Sequence, residues 1–443
     1  MDCVRQVNCT HHVLFQALKG SIPKLAVHAV GARVVELLFS TFSPKTTAPL
    51  KQEFYGPHFS LFATETTVHP TLFTNLELIP EKKGVTLEFL VSILNKAMEK
   101  GLFGFVYVQE LFSEYVSVAP PEDIRAMAPN VVDHSIHMLS TRAGTRVVAA
   151  CASYGTAKDR KRILKSLKGY TRSSLLHRDA YLAILRLVQI TDDTVSVHKS
   201  LLAEILTEPK EKESPLLEIA LHETGSRLFL MLLVSSEEER QKYFDPYERQ
   251  VLDPNPTILE DGEKVPTSKK NPETRRKELM NYLRKPLIEL CSMHADVLLR
   301  SLPGSRVLRE VYSAFHPQEV VDAVVAVCVA EPSTAGEECN ALTLFEDPVG
   351  HLAVKHLLLC DANDKALFAT AFYDKMKSRL MEVGSSNRGA FVLTALLKAE
   401  ATREKTLAEL SSHKAKLRKL AKQGTATAGF TALLQEMSSK GKE

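Results

Sequence analysis

Aliphatic residues return along this chain at helical rather than alternating spacing. In Leu87–Lys100 the residues Leu87, Leu90, Val91, Leu94 and Met98 fall on one helical stripe, and Gly101 then ends the run. Ala180–Leu187, Leu201–Leu206 and Ala353–Leu359 are similar apolar runs, each so short that it needs a neighbour to bury its stripe. Many runs open the same way: a small or turn-forming residue, a polar or stacking residue, then aliphatics. The pattern stands at Gly31-Ala32-Arg33-Val34-Val35-Glu36, Gly144-Thr145-Arg146-Val147-Val148, Gly225-Ser226-Arg227-Leu228 and Gly304-Ser305-Arg306-Val307-Leu308-Arg309. Looser copies begin at Gly104, Asp179, Gly350 and Gly389, and the leading residues are 73, 40, 35, 46, 79, 46 and 39 apart. Five spacings lie near one unit and two near a doubled unit, which is the signature of a repeat array. Around Gly144 the unit reads whole, with Ile124–Leu139 as one helix, Thr145–Ser153 as the next, and Gly155-Thr156 turning into Lys158–Leu167. Such units, about 35 to 40 residues each, stack into an all-α solenoid with one concave and one convex surface.

Two stretches break the array. Residues 44–80 are rich in Thr, Pro and aromatics around Tyr55-Gly56-Pro57, and residues 245–271 carry Pro246, Pro254, Pro256 and Pro266 with little periodicity. The expected organisation is a half-array over 1–244 with an insertion near 44–80, a surface loop over 245–271, and a second half-array over 272–443. The second half ends in a charged helix, Arg403–Gln423, and a last amphipathic turn, Phe430–Met437.

Composition narrows the function. The 443 residues are 44% hydrophobic and 25% charged with a net charge of +3, which argues against a wholly cationic binder and leaves room for a basic face balanced by an acidic one. Seven scattered cysteines, none spaced C-x-x-C, indicate neither a disulfide framework nor a zinc ribbon, and a reducing intracellular location is the default. No apolar run reaches the roughly 18 residues of a membrane span, and the first residues lack a secretory layout. P-loop, zincin, nucleophile-elbow and dinucleotide fingerprints are missing. His351 and His356 are five apart and His11-His12 are adjacent, so neither pair supplies metal ligands at i, i+4; Asp192-Asp193 reads as a helix N-cap for Val195 onward. A non-enzyme without cofactor or metal is expected.

The densest basic stretch holds Lys158, Arg160, Lys161, Arg162, Lys165, Lys168 and Arg172 against only Asp159, the kind of cluster that phosphate contacts need. Arg275, Arg276 and Lys277 form a second patch. The plain alternative for both is a solvated helix face.

The recurring pattern is similar to the second helix of Pumilio (PUF) repeats, which in that family lines the concave surface and reads RNA bases with three side chains per unit. Arg33, Arg146, Tyr181, Arg227 and Arg306 occupy the position where a guanidinium or phenol plane stacks between bases. Ala32 with Glu36 would favour guanine. Thr145 with Ala149, Ala180 with Ile184, and Ser226 with Leu230 lack the second hydrogen-bonding partner of a base code, so little sequence preference is expected. The strings Gly155–Lys165, Asp192-Asp193-Thr194, Pro272–Leu279, Gly350-His351-Leu352 and Ser386–Ala390 together resemble the Puf-A family from about Lys19 to the C-terminus. That resemblance implies a right-handed α-solenoid of Pumilio-like, armadillo-type repeats in a bent, L-like array. It further implies a monomer in the nucleus and nucleolus that binds RNA or DNA without sequence selectivity, works with ribosome-assembly proteins on pre-60S particles, and serves large-subunit biogenesis and pre-rRNA spacer processing, with no membrane contact. Against the family pattern, Asp2–Leu18 reads as the remnant of an earlier unit. The rival reading is a HEAT- or armadillo-type adaptor whose groove holds a peptide; the Arg or Tyr at a fixed position in five of eight copies separates the two.

Overall fold

The computed structural model describes residues 14–60, 71–207, 214–252, 255–330, 342–361, 366–423 and 427–439. His11-His12, most of Asp2–Leu18 and parts of the 44–80 and 245–271 stretches lie outside them. The described residues are mostly helical and divide into two compact units. Unit 1 takes the described residues up to Glu204 together with Pro246–Arg275, and unit 2 takes Ile205–Asp245 together with the residues from Arg276 on. The units thus draw their lines differently from the expected 1–244 and 272–443 halves. The stretch 205–245 packs with the C-terminal residues, and 246–275 with the N-terminal ones.

In unit 1 the pattern-bearing helices are α1 (Gly31–Thr41), α3 (Val106–Val118), α5 (Arg142–Tyr154) and α7 (Tyr181–Ile190), each packed on the next. α2 (Lys83–Glu99) ends where Gly101 takes φ +66°, a left-handed turn that glycine adopts without strain. The expected helix over 124–139 is broken: α4 (Pro121–Val131) gives way to a 3₁₀ turn at Val132–His134 and a short helix at Ser135–Met138, after Pro129 has withdrawn one backbone donor. α6 (Ala157–Leu167) starts with a capping box between Thr156 and Asp159.

Unit 2 has a ladder of its own that begins with α8 (Ser226–Leu233), followed by α9 (Glu237–Tyr243) and α10 (Pro272–Met293), whose residues from Arg276 on belong here. Next in the ladder come α11 (Leu302–Phe315), α12 (Gly350–Asp361), α13 (Asn387–Lys398) and α14 (Ala428–Glu436), again each against the next. The charged C-terminal segment is two helices, Glu400–Ser411 and Lys414–Gln423, rather than one.

At five of the seven leading glycines the small residue answers a carbonyl; Gly104 meets no atom within 4 Å, so that looser copy lacks the constraint, and Gly304 meets the Leu298 side chain instead. A Cβ on Gly144 would lie 2.0 Å from the Met138 carbonyl oxygen, on Gly389 1.8 Å from that of Val383, and on Gly31, Gly225 and Gly350 2.7–2.8 Å from those of Leu25, Ile219 and Leu344. In each case the carbonyl lies six residues back, so the chain folds against its own ladder helix at a distance only glycine allows without displacement. Three residues before the same position a side chain accepts its N–H: Thr141, Ser301 and Ser386 hydroxyls, the Asp347 carboxylate, and the Nδ1 atoms of His28 and His222. His177 does the same for Ala180. This cap fixes the register of every copy that carries it.

The stretch expected as a loop is ordered where described. A short helix, Pro246–Val251, precedes a hairpin of β1 (Thr257–Glu260) and β2 (Glu263–Pro266), paired antiparallel with Ile258 opposite Val265. Asp261 and Gly262 both take positive φ, as a two-residue hairpin turn requires. The hairpin is tied to unit 1 by Glu122 accepting from the Leu259 N–H at 2.6 Å and by the Arg125–Glu260 pair at 2.9 Å.

Candidate nucleic-acid interface

The helix starts of the ladder carry the residues expected to stack, two places after the small residue: Arg33, exposed, and Arg146, Arg227 and Arg306, half-buried. Tyr181 is not among them. The cap by His177 shows that Ala180 takes the glycine's place, so the equivalent position is Leu182 and Tyr181 stands one residue early. It is 6% exposed, and its hydroxyl donates to Glu248 at 2.6 Å. Burial pushes the Tyr115 phenol to about 12 in the same unit, a measure of how dry these helix contacts are.

Glu36 also has another task. It accepts the N–H groups of Val106 and Tyr107 at 3.0 and 3.2 Å, satisfying the first donors of α3, and so is not a guanine reader. The edge positions Ala32, Thr145, Ala149, Ala180, Ile184, Ser226 and Leu230 are all buried, which removes them from base contact beyond their lack of polar groups.

The basic stretch 158–172 separates by helical phase. Lys158, Lys161, Lys165 and Lys168 are exposed, while Arg160 shares the buried face of α6 with Ile163, Leu164 and Leu167. The Arg160 guanidinium, 1% exposed, donates to the carbonyls of Ala152, Ser153 and Thr267 and to the Thr267 hydroxyl. Burial pulls it down to about 10, so it stays charged at neutral pH. It is a structural strut joining α5, α6 and the hairpin stretch, and the expectation of a phosphate contact there is corrected. Arg162 is held by Asp133 at 2.5 and 2.9 Å, and the hydrogen bonds from Arg162 keep the Asp133 carboxyl below its ordinary range. Arg172 is half-buried.

The second patch separates likewise. Arg275, 3% exposed, donates to Asp192 at 2.8 Å and Ser268 at 2.6 Å, so it too is structural. Burial alone would raise the Asp192 carboxyl; hydrogen bonds from Ser268, Lys269 and Lys270, with the Arg275 charge, outweigh it. Asp193 caps the following turn through Ser196, as its spacing suggested. In unit 2, Arg276 donates to the Leu232 and Leu233 carbonyls at the end of α8, and Lys277 is exposed.

Unit 2 gathers cations and aromatic rings that the repeat pattern alone does not flag. Arg227 lies 5.7 Å from the Phe244 ring centre, Arg306 and Arg309 lie 6.0 and 5.5 Å from that of Tyr243, and Lys355 lies 5.3 Å from that of Phe391. Arg309 is fixed by Glu310 at 3.0 Å and by the Tyr243 hydroxyl. Burial lowers Arg306, and the neighbouring Arg227 charge lowers it further. Burial brings His356 to about 4, helped by the positive charges of Arg309 and Lys355. A signal for the cations does exist in the sequence: Arg309 and Lys355 both stand five places after the small residue, the second edge-reading position of the pattern. Among the described residues no cluster of His, Cys, Asp or Glu could hold a metal, and no helix is long and apolar enough to cross a membrane.

Residues 221–367 match the family model of the CPL (NUC119) domain. The chain is 29% identical over 416 residues to Pumilio homology domain family member 6 of Schizosaccharomyces pombe, covering 91% of this chain and 62% of that protein. It is 24% identical to mouse Pumilio homolog 3, covering 87% of this chain and 58% of that protein. The crystal structure of human Puf-A superposes with a TM-score of 0.78 at 24% identity, over 96% of this chain and 80% of that one. The chain is similar to Puf-A and the Pumilio-homology proteins. A second human Puf-A structure, solved in complex with DNA, gives a TM-score of 0.76 at 25% identity, over 96% of this chain and 80% of that one. The chain spans about three fifths of the length of the curated Puf-A-like relatives it matches.

Proposed function

We propose that this chain binds single-stranded RNA or DNA with little sequence preference. The observation that carries the reading is the unit 2 ladder, where Arg227 on α8, Arg306 and Arg309 on α11 and Lys355 on α12 stand beside Tyr243, Phe244 and Phe391. Cations meet the phosphates, and the guanidinium planes of Arg227 and Arg306, set against the buried Phe244 and Tyr243 rings, stack on bases of any identity, each stack contributing ~1–3 kcal/mol. Lys158, Lys161, Lys165 and Lys168 in unit 1 add a sequence-blind phosphate surface. The buried edge positions supply no base code. The DNA complex of human Puf-A supports a nucleic-acid partner. Fluorescence anisotropy with short single strands tests the reading: the Arg227→Ala/Arg306→Ala double variant is expected to bind at least tenfold more weakly with its fold intact, and unchanged affinity refutes it.

The cellular role we propose rests on the Puf-A resemblance: assembly of the large ribosomal subunit and pre-rRNA spacer processing in the nucleolus, alongside ribosome-assembly proteins, as a monomeric scaffold rather than an enzyme. Crosslinking in cells with sequencing of the bound RNA tests it. Spacer-flanking pre-rRNA is the expected catch, and a catch dominated by messenger RNA overturns it.

A further inference from the structure

Unit 2 holds a second group of cations, at the far ends of its ladder helices. An open cavity of about 430 Å³ lies between the ends of α8 and α11 and the side of α10, lined by Ser235, Arg276, Lys277, Met280, Arg284 and Phe315 among others. Arg276, Met280 and Arg284 follow one another at four-residue steps, so α10 turns them to one face, with Lys277 beside them. Arg276 is steadied by the Leu232 and Leu233 carbonyls, and the Arg284 guanidinium lies 5.0 Å from the Phe315 ring centre. Lys277 and Arg284 are exposed. No acidic residue lines this cavity, and its cations favour an anion there. The hydroxyl on its wall belongs to Ser235, which is exposed between α8 and α9. Its neighbours Val234 and Ser236 have extended backbone, with ψ 124° and 145°, the form in which protein kinases take up their substrates. Glu237, Glu238 and Glu239 follow, all exposed, with Glu238 three residues beyond Ser235.

We propose that Ser235 is a phosphorylation site for an acid-directed serine/threonine kinase, and that the cavity clamps the resulting phosphate within the same chain. In the transfer, the Ser235 Oγ attacks the γ-phosphorus of ATP and an O–P bond forms as the bridge to the β-phosphate breaks. ADP leaves with the bridging oxygen's electrons, and the hydroxyl proton passes to the kinase's catalytic carboxylate. The carboxylates after Ser235 are the charge pattern that such a kinase reads. The product carries close to two negative charges and accepts charge-assisted hydrogen bonds from Arg276, Lys277 and Arg284. That ties the link between α8 and α9 to α10. Because α9 ends in Tyr243, beside Arg306 and Arg309, the clamp fixes the near end of the short helix that carries this ring. Ser236 has the same spacing to Glu239, but its hydroxyl caps α9 by accepting the Glu239 N–H, and it is Ser235 that lines the cavity.

The test uses the full chain. Incubated with ATP and a casein-type kinase of acidic preference, it is expected to carry phosphate on Ser235 by peptide mass spectrometry, and Ser235→Ala to lose that site. The chain with Ser235 installed as phosphoserine during translation is then compared with the unmodified chain. Its melting temperature is expected to rise by about 3 °C, and trypsin cleavage at Arg240 and Lys242 on α9 to slow about fivefold, because cleavage there tracks local opening. Lys277→Gln/Arg284→Gln is expected to leave melting of the unmodified chain unchanged and to cut both gains to about a third or less. Arg276 is kept because it also holds the end of α8. Phosphate on Ser236 without phosphate on Ser235 overturns the inference. So does an installed phosphoserine that moves neither readout, or gains that survive the double variant.

Discussion

The two units present the same ladder with different residues at its working positions. Five places after the small residue, two of the four glycine-led copies in unit 2 carry the cations Arg309 and Lys355 and the other two Leu230 and Thr394, whereas unit 1 has Glu36, Gln109 and Ala149 and no cation. In unit 2 those cations stand beside rings. In unit 1 Glu36 caps the next helix, and the helix starts of α5 and α7 are met by the chain's own Pro246–Val251 helix through Tyr247 and Glu248. A repeated fold therefore does not mean a repeated surface: unit 2 sets cations on its ladder helices against rings, and unit 1 spends most of its helix starts on internal contacts.

The largest expected effect separates strut from surface within one helix. Arg160→Ala removes a buried guanidinium and strands the carbonyls of Ala152, Ser153 and Thr267, so thermal or denaturant unfolding should report a loss of about 3 kcal/mol. Lys161→Ala, one residue away and exposed, should stay within ~0.5 kcal/mol. Equal losses from both would erase the distinction.

Next comes the unit 2 ladder itself. Arg227→Ala and Arg306→Ala should each weaken single-strand binding by ~1–3 kcal/mol without a change in helical circular dichroism. Arg33→Ala, exposed at the matching place on α1 but with no ring contact there, should cost less. If the Arg33 variant is the weaker binder, the cationic-aromatic account of unit 2 is wrong.

A smaller effect belongs to the lysine face. Changing Lys158, Lys161 and Lys165 to Glu should weaken all single strands alike and flatten the plot of log affinity against log salt by about 0.7 for each phosphate no longer neutralised. Arg160 and Arg162 are left in place because they hold the structure.

The smallest is a pH effect in unit 2. His356 stays neutral in the folded chain to about pH 4, while an unfolded chain binds its proton near 6.5. Between those values the unfolded state holds more protons, so stability falls as pH drops through that window. His356→Gln should flatten the decline in denaturant midpoint between pH 7 and pH 5; an identical decline in the variant would show that another group carries it.

The array is legible because its steric cause repeats: the carbonyl six residues back demands a glycine, and the demand recurs at the unit spacing. Where that demand is relaxed, the register is hidden. Ala180 stands in the glycine's place, Asp179 mimics the leading residue, and Tyr181 then falls on the stacking position by count alone. Arg160 and Lys158 look alike in a charge count, and only the helical phase shared with Ile163, Leu164 and Leu167 tells them apart. The hairpin over 257–266 has a signal in Asp261-Gly262, the dipeptide suited to its turn, but its strands are four residues each and too short for periodicity to register. Tyr243, Phe244 and Tyr247 are beyond reach because they come from outside the repeat pattern, and only the fold brings them to the ladder.

The central claim is that nucleic acid lies on the cationic and aromatic ladder of unit 2. Photocrosslinking of a short 4-thiouridine strand to the full chain, with the adducts located by peptide mass spectrometry, tests it most directly. The account predicts adducts in the peptides holding Arg306, Lys355 and Phe391, lost in the Arg227→Ala/Arg306→Ala variant. Adducts found elsewhere, with those peptides unmodified, would contradict it.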